Sequence, residues 1–274
     1  MHRSQWIRSC LVLKALWNEN YFLNINFSNT LNHDNKKGEK MIIYDARRTV
    51  QILLLLVLSA TASLAGAQNL DPTRFENTIL GFEANDMKSP PLEGAILLTG
   101  SSSIARWNDQ AEAALAPLSV IPRGFGGSVM GDLLHYLDRV ALTYKPRAIL
   151  IYEGDNDTWY KVSEGKIISQ FEEIVARVHE VLPETRVYAL SVKPSVARES
   201  VWPAAQQVSA RMHAIAESDS LVYYIDVASP FLKSDGSVMT DIFVEDGLHL
   251  NDKGNAIWGR AIKAGLMNVE GQFE

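Results

Sequence analysis

A serine cluster, Ser101-Ser102-Ser103, follows an apolar run that ends in Gly100, and far downstream Asp246-Gly247-Leu248-His249 sets an acid and a base three residues apart. A hydroxyl becomes a useful nucleophile only when a base takes its proton, and an imidazole is a dependable base only when an acid fixes its tautomer. Nucleophile, then Asp, then His is one of the chain orders in which such sets occur. The chemistry would be transfer of an acyl group to water. Ser102 would attack the carbonyl of an ester, His249 would take its proton and return it to the leaving alcohol, and Asp246 would hold the imidazole. The oxyanion formed on the way needs hydrogen-bond donors, and three are at hand. They are the backbone N–H of Ser102 at a helix start, the backbone N–H of Gly127 in the glycine-rich stretch Arg123-Gly124-Phe125-Gly126-Gly127-Ser128, and the side-chain amide of Asn156. Losing one such donor typically costs about 2.7–4 kcal/mol of barrier.

Each of these signals has a plainer reading when taken alone. A serine cluster after a strand caps a helix, Asn156 could cap the next segment, and Asp246-Gly247 makes a good turn. The other histidines are poorer bases: His135, His179 and His213 fall inside expected helices, and His2 and His33 lie near the start of the chain. Asp226, at the end of a strand, is the rival carboxylate and reads as structural. No His, Asp and Glu set has metal-ligand spacing, and no G-x-G-x-x-G follows the first strand, so neither a metal nor a dinucleotide cofactor is expected. The one cysteine, Cys10, lies in a part expected to be lost, which excludes a cysteine nucleophile.

The elements that must position these residues can be read from the apolar runs. Strands are expected at 95–98, 119–121, 148–152, 187–192 and 221–225. Helical spacing marks 107–115, the run Leu133, Leu134, Leu137, Val140, Ala141, the run Ile167, Phe171, Ile174, Val178 ended by Pro183, then 204–216 and 256–266. A further helix, started by Asp71-Pro72, runs to about Asp86. The strands lack period-two alternation, which implies a parallel sheet covered on both faces. Right-handed crossovers put every strand's carboxyl end on one edge, where Ser102, Gly127, Asn156 and the loop of Asp246 and His249 would gather.

The 274 residues are 47% hydrophobic, which suits one domain with a sizeable core. Arg47-Arg48 precede an apolar run from Ile52 to Leu58 that ends in small residues, Ala65-Gly66-Ala67. This is the layout of a secretory signal peptide at 41–67, cut before Gln68, with Met41 as the natural start and residues 1–40 as a non-native extension. The competing reading is an uncleaved membrane anchor; a twin-arginine signal fits less well. The remaining domain, 68–274, carries 18 basic against 28 acidic side chains. A net charge near −10 argues against nucleic acid as a partner, and no stable membrane insertion is expected after cleavage.

Four stretches in order, Gly100-Ser101-Ser102-Ser103-Ile104, Gly124-Phe125-Gly126-Gly127-Ser128, Gly154-Asp155-Asn156-Asp157 and Asp246-Gly247-Leu248-His249, resemble the blocks of the SGNH (GDSL-type) hydrolases. Arg106-Trp107 and Lys193-Pro194-Ser195 are similar to bacterial members related to platelet-activating-factor acetylhydrolases. The resemblance implies a three-layer α/β/α, flavodoxin-like fold with a five-stranded parallel sheet. It implies roles for Ser102, Gly127, Asn156 and His249, with Asp246 as the acid. Two departures stand out. Ser101 occupies a place usually held by Asp, so that Ser101 or Ser103 could be mistaken for the nucleophile, and Ser128 stands where many members have Asp. Matching the glycine to Gly100 puts the nucleophile at Ser102. The reading is a secreted or periplasmic serine esterase of short acyl esters, without cofactor, with an O-acetylated carbohydrate as first substrate and a lipid ester or thioester as alternatives. The alternative of another class is a non-catalytic envelope module that binds a glycan or acyl chain. Specificity would lie in loops 158–165 and 197–203, and Trp107, Tyr152 and Trp159 could line a pocket or equally belong to the core.

Overall fold

Residues 70–274 are described by a computed structural model. The expected extension 1–40, the signal peptide 41–67 with its cleavage site, and Cys10 lie outside the described residues. Five apolar stretches form five strands: β1 (Ile96–Gly100), β2 (Val120–Gly124), β3 (Ala148–Tyr152), β4 (Arg186–Leu190) and β5 (Val222–Ile225). All pair in parallel, in the order β2-β1-β3-β4-β5. Every residue of β1 and β3 is buried, which is why these strands read as unbroken apolar runs.

Alternate strand residues point to opposite faces, and each face has its own core. Leu97, Ile149, Ile151, Val187 and Ala189 pack with helices α4 (Met130–Val140), α6 (Glu164–Val181) and α7 (Trp202–Ser218). Ile96, Leu98, Leu150, Tyr152 and Leu190 pack with α3 (Asn108–Leu115) and α8 (Asp252–Glu270). The result is the three-layer α/β/α arrangement with an all-parallel sheet. The strand order turns back between β1 and β3, and open α/β sheets bind ligands at such a switch point, beyond the carboxyl ends of the strands.

Asp71 starts the first helical segment as expected: its carboxylate accepts from Thr73 N–H at 2.9 Å, ahead of a 3₁₀ turn Pro72–Phe75 and helix α1 (Glu76–Asp86). Two short helices were not legible as separate elements, α2 (Ser102–Ala105) and α5 (Asp155–Trp159). Strand β2 runs three residues beyond the expected 119–121, through Pro122 and Arg123 to Gly124. Proline is tolerated there because β2 is an edge strand bonded only to β1. Among the described residues no helix is long and apolar enough to cross a membrane.

Candidate active site

The turn out of β1 is built on glycine. Gly100 has φ +129°, and a Cβ there would lie 2.2 Å from the backbone oxygen of Tyr152 in β3. Ser101 N–H donates to that same oxygen at 3.0 Å, and Ser101 C=O accepts the N–H groups of Ile104 and Ala105, so Ser101 caps α2. Ser101 and Ser103 are buried, whereas Ser102 is only half-buried. Ser102 opens the helix, and its N–H therefore has no partner within it.

The loop after β2 closes over this turn. Phe125 N–H donates to Gly100 C=O at 2.9 Å, and the Cα of Ser102 is 3.8 Å from where a Gly126 Cβ would sit. Gly127 takes φ +91° inside the turn that Ser128 N–H closes on Phe125 C=O. The loop after β3 brings the third donor. Gly154, at φ +105°, leads into α5, and the buried Asp157 carboxylate accepts from Met130 N–H at 3.0 Å and Gly154 N–H at 2.9 Å. Asn156 Nδ2 then donates to Ser128 C=O at 2.8 Å, tying the second and third loops together.

The base comes from the loop before α8. His249 Nε2 is 2.9 Å from Ser102 Oγ, and His249 Nδ1 is 2.6 Å from Asp246 Oδ2. The other carboxylate oxygen, Asp246 Oδ1, accepts from the N–H groups of Leu248 and His249 at 2.9 and 2.8 Å. Burial works against ionisation of Asp246, but the bonds from the imidazole and from the two backbone N–H groups outweigh it and hold the carboxyl well below its usual range. The loop is pinned on both sides: Asn251 caps α8 and donates to Asp241 and Phe243 C=O, and the buried Lys193 Nζ donates to Leu248 C=O at 2.8 Å. Burial lowers the Lys193 ammonium from its ordinary value.

The structure thus brings Ser102, Asp246, His249, Gly127 and Asn156 to one edge of the sheet. Such an arrangement can pass a proton from hydroxyl to imidazole while a carboxylate holds the ring. Asp226 does not join it; its carboxylate accepts from Ala228 and Ser229 N–H beyond β5. His135, His179 and His213 lie in α4, α6 and α7. Among the described residues no group of three or more His, Cys, Asp or Glu could hold a metal ion. Of the two readings open for the aromatics, core or pocket, the core holds for two of the three. Trp107 and Tyr152 are fully buried in the core beneath α8, because both sit where the sheet and helices close, and only Trp159 is exposed, at 46%. Residues 158 and 159, expected in a loop, belong to α5.

The contacts of three residues were not foreseen. Arg198 donates to Asn156 Oδ1 at 2.8 Å and to Asp155 Oδ1 at 2.7 Å. Ala197 N–H donates to Gly247 C=O at 3.1 Å. Ser128 Oγ donates to the buried carboxyl of Glu153. The only sequence signal for the first two was their place just beyond β4, on the edge where the site gathers.

Known proteins resemble this chain in sequence and in fold. A model described as the GDSL-like Lipase/Acylhydrolase family matches residues 89–257. No curated protein matches the chain. Among solved structures, a candidate platelet activating factor from Streptococcus pneumoniae is 21% identical, covers 80% of this chain and 98% of its own, and superposes with a TM-score of 0.61. A GDSL-like lipase from Bacteroides thetaiotaomicron is 15% identical over 72% of this chain and 99% of its own, with a TM-score of 0.62. An acetylxylan esterase from Geobacillus stearothermophilus, in a catalytic-mutant form, is 14% identical over 64% of this chain and 95% of its own, with a TM-score of 0.53. At such identities these likenesses establish the fold.

Proposed function

The chain belongs to the GDSL-like lipase/acylhydrolase family, whose members hydrolyse esters, and we propose that it is a secreted serine esterase of short, acetyl-type acyl esters. Ser102 is the nucleophile. His249 takes its proton as the C–O bond forms, and the resulting imidazolium is stabilised by Asp246. The tetrahedral oxyanion is held by the N–H groups of Ser102 and Gly127 and by the Asn156 amide. Collapse expels the alcohol, which takes the proton from His249. Water, deprotonated by the same imidazole, then releases the acid and restores Ser102. The observation that carries this reading is the unbroken chain from Asp246 Oδ2 through His249 to Ser102 Oγ, at 2.6 and 2.9 Å.

The alcohol half of the substrate is read as a carbohydrate. Beside the loop of His249 lies a depression of about 310 Å³ bordered by Val196, Glu199, Trp202, Lys233, Ser237 and Thr240. Its half-buried indole and two valines, Val196 and Val238, stand beside charged and hydroxyl groups, a mixed lining that suits the apolar face and the hydroxyls of a sugar ring. The acetylxylan esterase neighbour points the same way. Secretion rests on the signal-like stretch 41–67, and mass spectrometry of the exported protein should find Gln68 at its N-terminus; a full-length, membrane-retained chain would favour an anchor.

The decisive test is hydrolysis of p-nitrophenyl acetate by the purified protein and by Ser102→Ala. Turnover and fluorophosphonate labelling should both be lost in the variant, with an unchanged circular dichroism spectrum. Ser103→Ala should keep both. Activity that survives in Ser102→Ala would overturn the assignment of the nucleophile.

A further inference from the structure

The segment after β4 carries none of the residues given a chemical role, yet it touches both halves of the site. Lys193 and Ala197 hold the C=O groups of Leu248 and Gly247, in the loop of the base. Arg198 reaches the other way, to the oxyanion side. We infer that Arg198 is a positioning residue for Asn156, fixing which end of its amide is presented to the reacting carbonyl. The inference rests on the oxyanion role proposed for Asn156.

An amide has a donating and an accepting end, and a rotation of half a turn exchanges them. On one side Asn156 meets Ser128 C=O, which can only accept, at 2.8 Å from Nδ2. On the other it meets the Arg198 guanidinium, which can only donate, at 2.8 Å from Oδ1. Turning the amide over would set oxygen against oxygen and N–H against N–H. Only one orientation satisfies both neighbours, and it leaves the second N–H of Nδ2 free for an oxyanion. Asn156 is buried, so water cannot readily replace either partner.

Arg198 is itself anchored for this task. Its second arm is bonded to Asp155 Oδ1 at 2.7 Å, and its guanidinium lies 5.5 Å from the centre of the Trp159 ring. Asp155 is buried and also receives Tyr152 O–H at 3.2 Å, with Lys193 Nζ at 3.7 Å. The planar fork thus bridges two consecutive side chains of α5, a span that a lysine's single point charge cannot reproduce. A cation on Oδ1 also polarises the amide and strengthens the remaining N–H as a donor.

A double-mutant cycle on p-nitrophenyl acetate hydrolysis tests this, because a residue that acts only through Asn156 has nothing to act on once the amide is gone. Asn156→Ala should lower kcat about 100- to 1000-fold. Arg198→Met misdirects the donor without removing it and should lower kcat about 10- to 100-fold with KM little changed. The double variant should lie within about twofold of Asn156→Ala. Fluorophosphonate labelling rates should follow the same pattern. Arg198→Lys should fall between wild type and Arg198→Met, and it carries the same cycle if the methionine variant does not fold. Losses that multiply in the double variant, or a rise in KM alone, would overturn the inference while Ser102-dependent turnover leaves the proposed function standing. Absence of any Ser102-dependent turnover in the wild type would overturn both.

Discussion

Asp246 is unusual for the acid of such a set in being 41% exposed at its side chain, yet its geometry leaves little freedom. Two backbone N–H groups occupy Oδ1, so only Oδ2 is available to the imidazole. This gives Asp246→Asn a sharp consequence. The asparagine oxygen will take the place of Oδ1, because N–H groups already point there, and its NH₂ will face His249 Nδ1. Nδ1 must then accept, the ring proton moves to Nε2, and Nε2 can no longer take the proton of Ser102. The expected loss in kcat is about 100- to 10,000-fold, from the tautomer alone, and a steady-state comparison with wild type reads it directly. An Asn variant with near-normal kcat would mean that the carboxylate does not set the tautomer. Ser102, Asp246 and His249 were legible from type and order, since few residues can do their chemistry and each follows a strand or precedes the last helix. Arg198 was not, because arginine is common and its partner Asn156 lies 42 positions away; only the fold joins them.

At the level of elements, the apolar runs revealed all five strands, and the errors lie at their ends. β2 was cut short because Pro122 and Arg123 break an apolar run, while the strand's edge position makes both acceptable. The short α2 and α5 were hidden because a single helical turn has no periodicity to read. The close approach of α2 to β2 explains a glycine that composition alone could not. A Cβ on Gly124 would stand 2.3 Å from Ala105 N and 2.6 Å from Ile104 C, both backbone atoms at the end of α2. Two residues on, a Cβ on Gly126 would meet nothing nearer than 3.8 Å. Gly124→Ala should therefore cost about 3 kcal/mol, a fall in Tm of roughly 6–12 °C. Gly126→Ala should stay within about 1 kcal/mol of wild type. Thermal melts of the two variants compare them directly, and equal losses would show that the contact between α2 and β2 is not what Gly124 serves.

For the molecule as a whole, the buried carboxyls behind the oxyanion loop couple stability to pH. Glu153 is fully buried; Ser128 Oγ donates to one of its oxygens, and the other has no hydrogen-bond partner. Burial, reinforced by the charge of Asp157, pushes its carboxyl well above the usual range. Asp157 is likewise pushed up by burial, to about 6, despite its bonds from Met130 and Gly154 N–H. The groups facing Glu153 are Asp157, Asp132, Asp155 and the Ser128 hydroxyl, with Arg74 paired to Asp132 at 2.5 Å. A raised folded-state pKa means that the native protein binds more protons than the unfolded chain. Stability then falls as pH rises above the ordinary carboxylate range, and no penalty exists below it, where both states are protonated. Glu153→Gln keeps the shape and cannot ionise. Its Tm should exceed that of wild type at pH 8 by at least about 3 °C, the effect of one pKa unit in a domain of this size. The difference should shrink toward zero at pH 4. A gap of the same size at both pH values would mean that the substitution acts through packing, and a variant less stable than wild type at pH 8 would mean that Glu153 is held ionised. A gap present at pH 8 and absent at pH 4 would make the support of the second loop a neutral, hydrogen-bonded pair, Ser128 with Glu153, at a position where the family commonly places an acid.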